Sequence, residues 1–338
     1  MICVTGGTGF IGSNLVRALL ERGERVRLLV RPGGRPAGSP GASWLLRQIA
    51  GRGSGARTEL ELAEAANRIE IVWGDVTDRD AVNRLAQGAR VIYHLAAVAR
   101  AWSRDPAEFH RVNAGGTANV LQAARAWGVS RVVHVSTELV DGDATPYQRS
   151  KREAEALVQR YVSEGGDAVI VRPTRVYGPG PLNQANSVTR LIELYRRGWF
   201  RVRLADGGAR GNYVYVEDLV CGMIQAGDKG GNGGVYVLGG ENATVEELCA
   251  AVAAAAGKRH GVLELPVPVA KTIAGLMELL GHLGLEPAVT RAWIRVLLAD
   301  RPMSWEKAAR ELGYNPRPLL AGVEATVRWL EKTRGQRR

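Results

Sequence analysis

The chain has 338 residues, of which 46% are apolar and 42 are glycine, so it can bury a sizeable core as one large α/β domain or as one with a smaller lobe. Its formal net charge of +11 comes mainly from 39 scattered arginines rather than a clustered basic stripe, which argues against nucleic-acid binding. Three widely spaced cysteines match no disulfide or metal pattern and predict reduced thiols in a cytoplasmic protein with no metal site. No apolar run reaches the ~20 residues of a membrane span.

Short β-branched runs alternate with helical periods along the first half of the chain, as in a parallel sheet wrapped by helices. The pattern predicts strands near residues 1–5, 25–30, 69–73, 90–95, 131–135 and 168–172, and helices near 12–22, 79–87, 107–127 and 147–164. The predicted fold class is therefore α/β, with a doubly wound parallel sheet in a domain over residues 1–173. The stretch 32–67, rich in Gly, Pro, Ser and Arg, predicts an insertion beside the sheet.

The second half of the chain is less periodic. Its pattern predicts helices near residues 187–197 and 244–256, a strand near 235–238 and an amphipathic lid helix over 269–284. We expect residues 174–338 to form a smaller substrate-binding lobe at the carboxyl edge of the sheet, where open α/β sheets bind ligands. The sheet may borrow strands from this lobe.

A glycine-rich turn, TGGTGFIG, follows the first predicted strand. Gly6 permits the tight strand-to-helix turn, Gly9 lets the backbone approach a pyrophosphate, and Gly12 lets the helix pack on the strand. The helix that begins here, with Phe10 and Ile11 in its first turn, offers unpaired N–H groups to the anion. The position of the motif between a strand and an apolar helix predicts a dinucleotide cofactor.

The ends of the next strands indicate which dinucleotide binds. NAD would call for an acid at the end of the second strand, but the chain has Arg31 there, which suits the 2′-phosphate of NADP. We therefore expect NADP, with NAD as the alternative if Arg31 is only a solvated surface residue. Further cofactor contacts are expected at the ends of the third and fourth strands, from Asp75, Val76, Leu95, Ala96 and Ala97.

Tyr147 and Lys151 form a YxxxK pair that places a phenol and an ammonium group on one face of a predicted helix. A phenol carries protons near neutrality only if its pKa is lowered, and a nearby ammonium group and a positive nicotinamide favour the phenolate. Ser136 and Thr137, at the end of the preceding strand, offer a hydroxyl that can orient a substrate oxygen. Each residue alone is more common in packing or on a surface, but together with the glycine turn they predict hydride transfer with proton transfer.

These motifs are similar to those of the extended short-chain dehydrogenases/reductases, a group that contains sugar-nucleotide epimerases, dihydroflavonol reductases and 3-beta-hydroxysteroid dehydrogenases. The resemblance runs through TGGTGFIG, GDVTD, HLAA, VNAGGTANVL, HVST, YQRSK, RPTRVYGPG and YVYVEDLV. It implies a Rossmann sheet that binds NAD(P), with Thr137 rather than Ser136 as the catalytic hydroxyl. It also implies that Asn113 holds a loop near the cofactor, that Lys151 bonds the nicotinamide ribose and that Pro173 lines the nicotinamide.

Departures from this family pattern indicate the kind of substrate. Sugar-nucleotide epimerases usually carry a diphosphate-binding arginine at the position of Gly211, often have asparagine at the position of Arg175, and have an RPGD-like segment that this chain lacks. Losing such partners weakens diphosphate binding considerably. The sequence thus favours the dihydroflavonol-reductase and hydroxysteroid-dehydrogenase branch, and Arg175 fits a structural salt bridge as well as a substrate contact. The candidate substrate contacts are Thr137, Arg175, Tyr177 and Tyr213.

We predict an NADP-preferring oxidoreductase that interconverts an alcohol and a ketone or aldehyde on a fairly apolar small molecule. One alternative is a nucleotide-sugar epimerase or dehydratase with tightly bound NAD, and a second is a non-catalytic module that senses the dinucleotide. We expect a cytoplasmic homodimer that forms through the helices 107–127 and 147–164. Its expected partner is a small-molecule substrate, with no nucleic acid and no membrane span.

Overall fold

The structure is a computed structural model that describes residues 1–32, 67–100, 102–142, 145–182, 184–205, 208–282, 287 and 289–335. The insertion predicted at residues 32–67 therefore lies almost entirely outside the described residues. The end of the predicted lid helix and the last three residues of the chain also lie outside them.

A central sheet of seven parallel strands organises the molecule. In chain order, the strands of the described ranges are β1 (Ile2–Thr5), β2 (Val26–Val30), β3 (Ile69–Trp73), β4 (Val91–His94), β5 (Arg131–Val135), β6 (Ala168–Pro173), β7 (Arg175–Tyr177), β8 (Val202–Leu204), β9 (Gly211–Tyr215), β10 (Val235–Leu238), β11 (Glu241–Ala243) and β12 (Leu263–Leu265). The central sheet has the order β10-β6-β5-β4-β1-β2-β3. Between β1 and β4 the order changes direction, which is where sheets of this kind bind ligands. The predicted fold class is confirmed, and the six strands predicted in the first half are present.

Helices cover both faces of the central sheet and build the second lobe. In chain order, the longer helices are α1 (Phe10–Glu21), α2 (Arg79–Ala86), α3 (Gly116–Ala126), α4 (Pro146–Ser163), α5 (Ser187–Arg196), α6 (Val216–Lys229), α7 (Val245–Ala256), α8 (Val267–His282), α9 (Arg291–Leu298), α10 (Glu306–Leu312) and α11 (Leu319–Gly335). The helix that carries the YxxxK pair, α4, begins at a capping box formed by Thr145 and Gln148, with Pro146 in its first turn. Local sequence therefore fixes where this helix starts.

The central sheet is buried on both faces, as its continuous β-branched strands predict. On one face, α1 and α6 cover a core that includes Val133 and Val171. On the other face, α2, α3 and α4 cover a core that includes Val132 and Ile170. Successive side chains of one strand point into opposite cores, so each strand is packed on both faces. This packing holds the residues at the carboxyl ends of the strands in place.

The helix predicted over residues 107–127 is interrupted in the structure. A single α-helical turn at Ala107–Phe109 leads into a π-helix at His110–Gly115, which then continues as α3. A π-helix within an α-helix is rare and is frequently found at functional sites. Here it contains Asn113, the residue that the family resemblance placed near the cofactor.

The second lobe is built on a three-stranded sheet with the order β11-β9-β7. Its core contains Tyr177, Tyr195 and Tyr215 together with residues of α7 and α11. The chain then returns to the central sheet, where β10 pairs in parallel with β6. Three predicted elements of this half are present: the helices near residues 187–197 and 244–256 and the strand near 235–238.

The amphipathic helix predicted over residues 269–284 is present as α8. Its buried side carries the small residues Ala270 and Ala274, which pack with Ile294. Its outer side exposes the larger apolar residues Val269, Ile273, Leu276 and Leu279. Its C-terminal end reaches the loop after β4, where Gly281 lies against Trp102. Among the described helices, none has the length and apolar character needed to cross a membrane.

Candidate active site

The glycine turn joins β1 to α1 at the carboxyl edge of the central sheet. Gly6 has a φ of +72°, and a Cβ on it would lie 2.8 Å from backbone atoms after β4, so only glycine lets these two segments approach. A Cβ on Gly12 would overlap the Gly6 carbonyl group. The N-cap Gly9 provides no side-chain cap, and the Phe10 and Ile11 N–H groups in the first turn of α1 have no partner within the helix, whose first such bond runs from the Ser13 N–H to the Gly9 carbonyl. This cradle fits the pyrophosphate of a dinucleotide.

A chain of buried hydrogen bonds ties the turn to the π-helix. Thr5 Oγ1 accepts the Ala96 N–H at 3.1 Å and lies 2.7 Å from His94 Nδ1. His94 Nε2 then donates to Thr117 Oγ1 at 3.0 Å, and that hydroxyl donates to the Asn113 carbonyl at 2.6 Å. Burial and a nearby ammonium group lower the pKa of His94 to about 3, so the ring is neutral, as this chain of bonds requires.

Asn113 connects three segments around the site. Its Oδ1 accepts the Val98 N–H at 2.7 Å, and its Nδ2 donates to the Val98 carbonyl at 3.1 Å and to Ser150 Oγ at 2.9 Å. Ser150 in turn donates to the Tyr147 carbonyl at 2.8 Å. Both polar atoms of the buried Asn113 amide therefore have hydrogen-bond partners, as is usual for a buried polar group. These bonds fix the loop after β4 against the start of α4.

Thr137, Tyr147 and Lys151 converge at the carboxyl end of β5. The Thr137 side chain acts on the phenol of the half-buried Tyr147 and lowers its pKa, and Lys151 Nζ donates to the Val135 carbonyl at 2.6 Å. Burial lowers the pKa of Lys151 to about 8. Burial raises the pKa of Tyr147, although the Thr137 side chain acts in the opposite direction, and the effect of a bound nicotinamide on the phenol stays a prediction. The neighbouring Ser136 Oγ is buried and has no hydrogen-bond partner among the described residues.

Beside this set lie three charged residues, of which the sequence analysis named Arg175 but not Glu138 or Arg301. Glu138 directly follows Thr137 and is only 8% exposed. Burial raises the pKa of Glu138 to about 7, although the charges of Arg175 and Arg301 act in the opposite direction. Arg175 also bonds the Tyr213 hydroxyl at 3.2 Å and lies over the ring. The sequence signal for Glu138 is an acid directly after a strand-end hydroxyl, and for Arg301 it is the Arg-Pro pair just before the family-like SWEKAARELGY segment.

The residues predicted to contact the adenosine half of a dinucleotide lie at the ends of β2 and β3. Arg31 is exposed at the end of β2. Asp75 Oδ1 accepts hydrogen bonds from the N–H and the hydroxyl of Thr77, at 2.9 and 2.8 Å, so this carboxylate also shapes its own turn. Val76 is buried, and a Cβ on Gly116 would lie 2.7 Å from it, so glycine lets α3 pack closely on this turn.

The remaining predicted contacts divide into two groups. The residues Leu95, Ala96 and Ala97 directly follow β4, and Pro173 is the buried last residue of β6, so all lie at the carboxyl edge of the sheet. Tyr177, a predicted substrate contact, is instead 1% exposed, and its hydroxyl donates to the Leu319 carbonyl at 3.2 Å. Its ring packs on Tyr215 in the core of the second lobe, so it lies outside the candidate site.

Comparison with known proteins gives one family and several relatives. The model of the NAD dependent epimerase/dehydratase family matches residues 2–239. A putative dihydroflavonol 4-reductase of Synechocystis sp. is 27% identical, covering 97% of this chain and 94% of its own. A 4-hydroxy-2-methyl-3-oxo-4-farnesyl-3,4-dihydroquinoline-1-oxide ketoreductase of Stigmatella aurantiaca is 30% identical, covering 92% of this chain and 90% of its own. A 3 beta-hydroxysteroid dehydrogenase/Delta 5-->4-isomerase of Mycobacterium tuberculosis is 28% identical, covering 93% of this chain and 86% of its own.

A solved structure extends the comparison to three dimensions. The dTDP-glucose 4,6-dehydratase DesIV of Streptomyces venezuelae, solved with NAD bound, is 25% identical and matches with a TM-score of 0.72 over 99% of this chain and 98% of its own. The likeness therefore includes the second lobe as well as the central sheet.

Proposed function

The chain is an enzyme of the NAD dependent epimerase/dehydratase family, as the resemblance of its motifs predicted, and on this premise we propose that it is an NADP-preferring oxidoreductase. It interconverts an alcohol and a ketone or aldehyde on a fairly apolar small molecule, with residues 1–173 holding the cofactor and residues 174–338 the substrate. The observation that carries the proposal is the convergence of Thr137, Tyr147 and Lys151 beside the glycine cradle.

The arrangement suggests how each group acts in the direction of reduction. The substrate carbonyl oxygen lies between the Thr137 hydroxyl and the Tyr147 phenol. The glycine turn at Gly6, Gly9 and Gly12 would hold NADPH, which would supply the hydride for the carbonyl carbon. Tyr147 gives its phenolic proton to the oxygen as negative charge develops there. The Lys151 ammonium group, one helical turn away, then stabilises the phenolate until it regains a proton from solvent.

The proposed preference for NADP rests on Arg31. Its guanidinium is exposed at the end of β2, where a carboxylate would be expected to hold the ribose of NAD. A planar guanidinium matches a phosphate group through charge-assisted hydrogen bonds. NAD, which is bound in the dehydratase structure, is the alternative cofactor.

The proposed apolar substrate is supported by the missing diphosphate site. At Gly211 there is no side chain to hold a diphosphate, and the space is taken by the Arg175 guanidinium, which a Cβ on Gly211 would overlap. The names of the three relatives describe a dihydroflavonol reductase, a ketoreductase of a farnesyl-bearing quinoline and a hydroxysteroid dehydrogenase, and none of these names contains a nucleotide sugar. The second candidate, epimerisation or dehydration of a nucleotide sugar, is favoured by the likeness to the dehydratase and would use the same Thr, Tyr and Lys residues.

We also propose a homodimer that forms through α3 and α4, in the cytoplasm. These two helices lie side by side on one face of the sheet. Beside them, exposed His110 of the π-helix hydrogen-bonds Glu153 of α4 at 2.7 Å. The three cysteines, Cys3, Cys221 and Cys249, are free thiols, which suits a reducing compartment. Light scattering should give twice the monomer mass, and a monomer mass at micromolar concentration would exclude this dimer.

The Tyr147→Phe variant tests the proposed function. Removing the phenolic hydroxyl should lower kcat by about 10²–10⁴-fold, the usual contribution of a general acid, while the affinity for NADPH stays nearly unchanged. The matched control is Tyr161→Phe, which removes a hydroxyl from the opposite end of α4 and should leave turnover unaffected. A Tyr147→Phe enzyme with near-normal turnover on a ketone that the wild type reduces would refute the proposed role of Tyr147.

A further inference from the structure

Glu138 lies between the candidate catalytic residues and the second lobe. It begins a 3₁₀ turn, Glu138–Asp141, directly after Thr137. Its charge acts on both Tyr147 in α4 and Tyr213 in β9. Its Oε2 is buried and has no hydrogen-bond partner in the described part of the chain. A buried carboxyl oxygen without a donor needs an explanation, and a bound ligand provides one.

Arg175 faces the same space because Gly211 leaves room for it. Strands β7 and β9 are paired so that Arg175 lies beside Tyr213, and a Cβ on Gly211 would overlap the guanidinium. One nitrogen of the guanidinium bonds the Tyr213 hydroxyl at 3.2 Å, and no carboxylate of the described residues lies within ion-pair distance of it. A guanidinium carries several N–H donors in a planar fork, so most of them can serve a ligand.

Arg301 reaches the same place from the loop after α9. Its backbone N–H donates to the Arg210 carbonyl at 3.0 Å, which fastens this loop to the start of β9. Its guanidinium lies near Gly142, at the end of the turn that Glu138 begins, and its charge acts on Glu138. The charges of two guanidinium groups from separate segments therefore act on one buried carboxyl, and we call this set the Glu138–Arg175–Arg301 cluster.

We propose that the Glu138–Arg175–Arg301 cluster binds a carboxylate of the substrate, so that the enzyme interconverts 3-hydroxy acids and 3-oxo acids. This inference rests on the proposed oxidoreductase function and names its substrate class. Arg175 and Arg301 neutralise the carboxylate, and the protonated Glu138 donates a hydrogen bond to it. The hydride and proton leave the alcohol as in the proposed function, giving the 3-oxo acid, NADPH and a proton from the 3-hydroxy acid and NADP⁺.

The charge of the cluster favours an anion over a neutral ligand. At neutral pH both guanidinium groups are charged, while burial raises the pKa of Glu138 to about 7 and leaves it only partly ionised. The charged and titratable groups facing Glu138 are Arg175 from β7, Arg301 from the loop after α9, Tyr213 from β9 and Tyr147 from α4. The cluster is therefore net positive in a poorly solvated place, and a substrate carboxylate removes that imbalance.

The position of the carboxylate within the substrate is inferred from the effect of Glu138 on Tyr147. Thr137 and Tyr147 hold the reacting oxygen in the proposed function, and the charge of Glu138 acts on the Tyr147 phenol. A group bound by Glu138 therefore belongs close to the reacting carbon and not to the far end of the molecule. A carboxylate separated from the reacting carbon by a single carbon atom meets this requirement.

Matched pairs of acid and ester test the proposal. The wild type and its variants are supplied with NADP⁺ and with racemic 3-hydroxydecanoate or 2-hydroxycyclohexanecarboxylate, each compared with its methyl ester, and NADPH formation is recorded. The wild type should prefer the acids in kcat/KM by at least about tenfold. Arg175→Met should lower kcat/KM for the acids by about ten- to a hundredfold, mainly through KM, and change the esters little. Arg175→Lys keeps the charge but loses the planar fork of N–H donors. Its kcat/KM for the acids should therefore lie between that of the wild type and that of Arg175→Met.

Two further variants separate this role from a structural one. Arg310→Met removes the same charge from an exposed site and should keep the preference for acids. In the wild type, KM for the acids should rise as the pH passes about 7, because an ionised Glu138 repels the carboxylate. Glu138→Gln stays neutral, so its KM should not vary with pH in this range.

The outcomes distinguish the inference from the function on which it rests. Equal kcat/KM for acids and esters in the wild type, unchanged in Arg175→Met, would overturn the carboxylate site but leave the oxidoreductase function in place. If no alcohol in either form is oxidised, while dTDP- or UDP-sugars are converted, both proposals fail. Loss of activity on acids and esters alike in Arg175→Met, with unchanged thermal stability, would also overturn the carboxylate site.

Discussion

Arg31 is the residue on which the choice of cofactor depends. If its exposed guanidinium pairs with the 2′-phosphate, the charged interaction contributes about 1.5–3 kcal/mol. Arg31→Ala should then reduce the preference for NADP over NAD by about ten- to a hundredfold, as measured by the ratio of dissociation constants. Arg25→Ala, which removes a charge from the opposite end of β2, should leave that ratio unchanged. A wild type that binds both cofactors equally would show that Arg31 is only a surface residue.

The protonation of a single side chain, Lys151, should make the proposed reaction depend on pH. Burial lowers its pKa to about 8, so the ammonium group is present below that pH and is lost as the pH rises through it. Because a neutral amine does not stabilise the Tyr147 phenolate, kcat/KM for ketone reduction should fall as the pH rises above about 8. A Lys151→Arg enzyme, whose guanidinium keeps its proton, should be slower but flat over the same range. A wild-type profile that stays level to roughly pH 9 would contradict this assignment.

At the scale of elements, the packing of α1 on the glycine turn leaves no room for a side chain at Gly12. A Cβ on Gly12 would overlap the backbone carbonyl of Gly6, and no side-chain movement can relieve a clash with the main chain. Gly12→Ala should therefore lower stability by about 1–3 kcal/mol and weaken dinucleotide binding. The control is Gly261→Ala, where nothing lies within 4 Å of the added carbon. Thermal unfolding and a titration with NADPH check both variants, and an intact affinity in Gly12→Ala would contradict the proposed cradle.

Elements fixed by local sequence were predictable, and those fixed by distant partners were not. The strands of the central sheet follow from continuous β-branched runs, and α4 starts where its capping box requires. The π-helix at His110–Gly115 has no local signal, because it depends on Asn113 bonding both Val98 and Ser150 from other segments. The short strands of the second lobe likewise owe their existence to pairing across the lobe rather than to their own periodicity.

The candidate site shows the same division between local and distant causes. The glycine turn and the set of Thr137, Tyr147 and Lys151 have fixed spacings in the chain, so they could be identified from the sequence alone. Arg301 lies more than 150 residues from Glu138, and only the folded second lobe brings its charge to that carboxyl. The raised pKa of Tyr147 could not be predicted from the sequence either. It arises because burial, which exists only once α4 is packed, outweighs the lowering effect of Thr137.

For the whole molecule, the ligand that stabilises the fold distinguishes the two enzymatic functions. A ligand that binds only the folded state stabilises it by about 2.7 kcal/mol at a hundred times its dissociation constant, which is roughly a 4 °C rise in Tm for a chain of this length. NADPH should raise Tm, and an aromatic or alicyclic ketone added with NADP⁺ should raise it further, because burying apolar surface contributes about 25 cal/mol per Å². UDP- and dTDP-sugars should add nothing, since Gly211 offers no group to hold a diphosphate and Arg175 takes the space above it. A clear rise with a nucleotide sugar, together with an epimerised or dehydrated product, would assign the enzyme to the other reaction of its family.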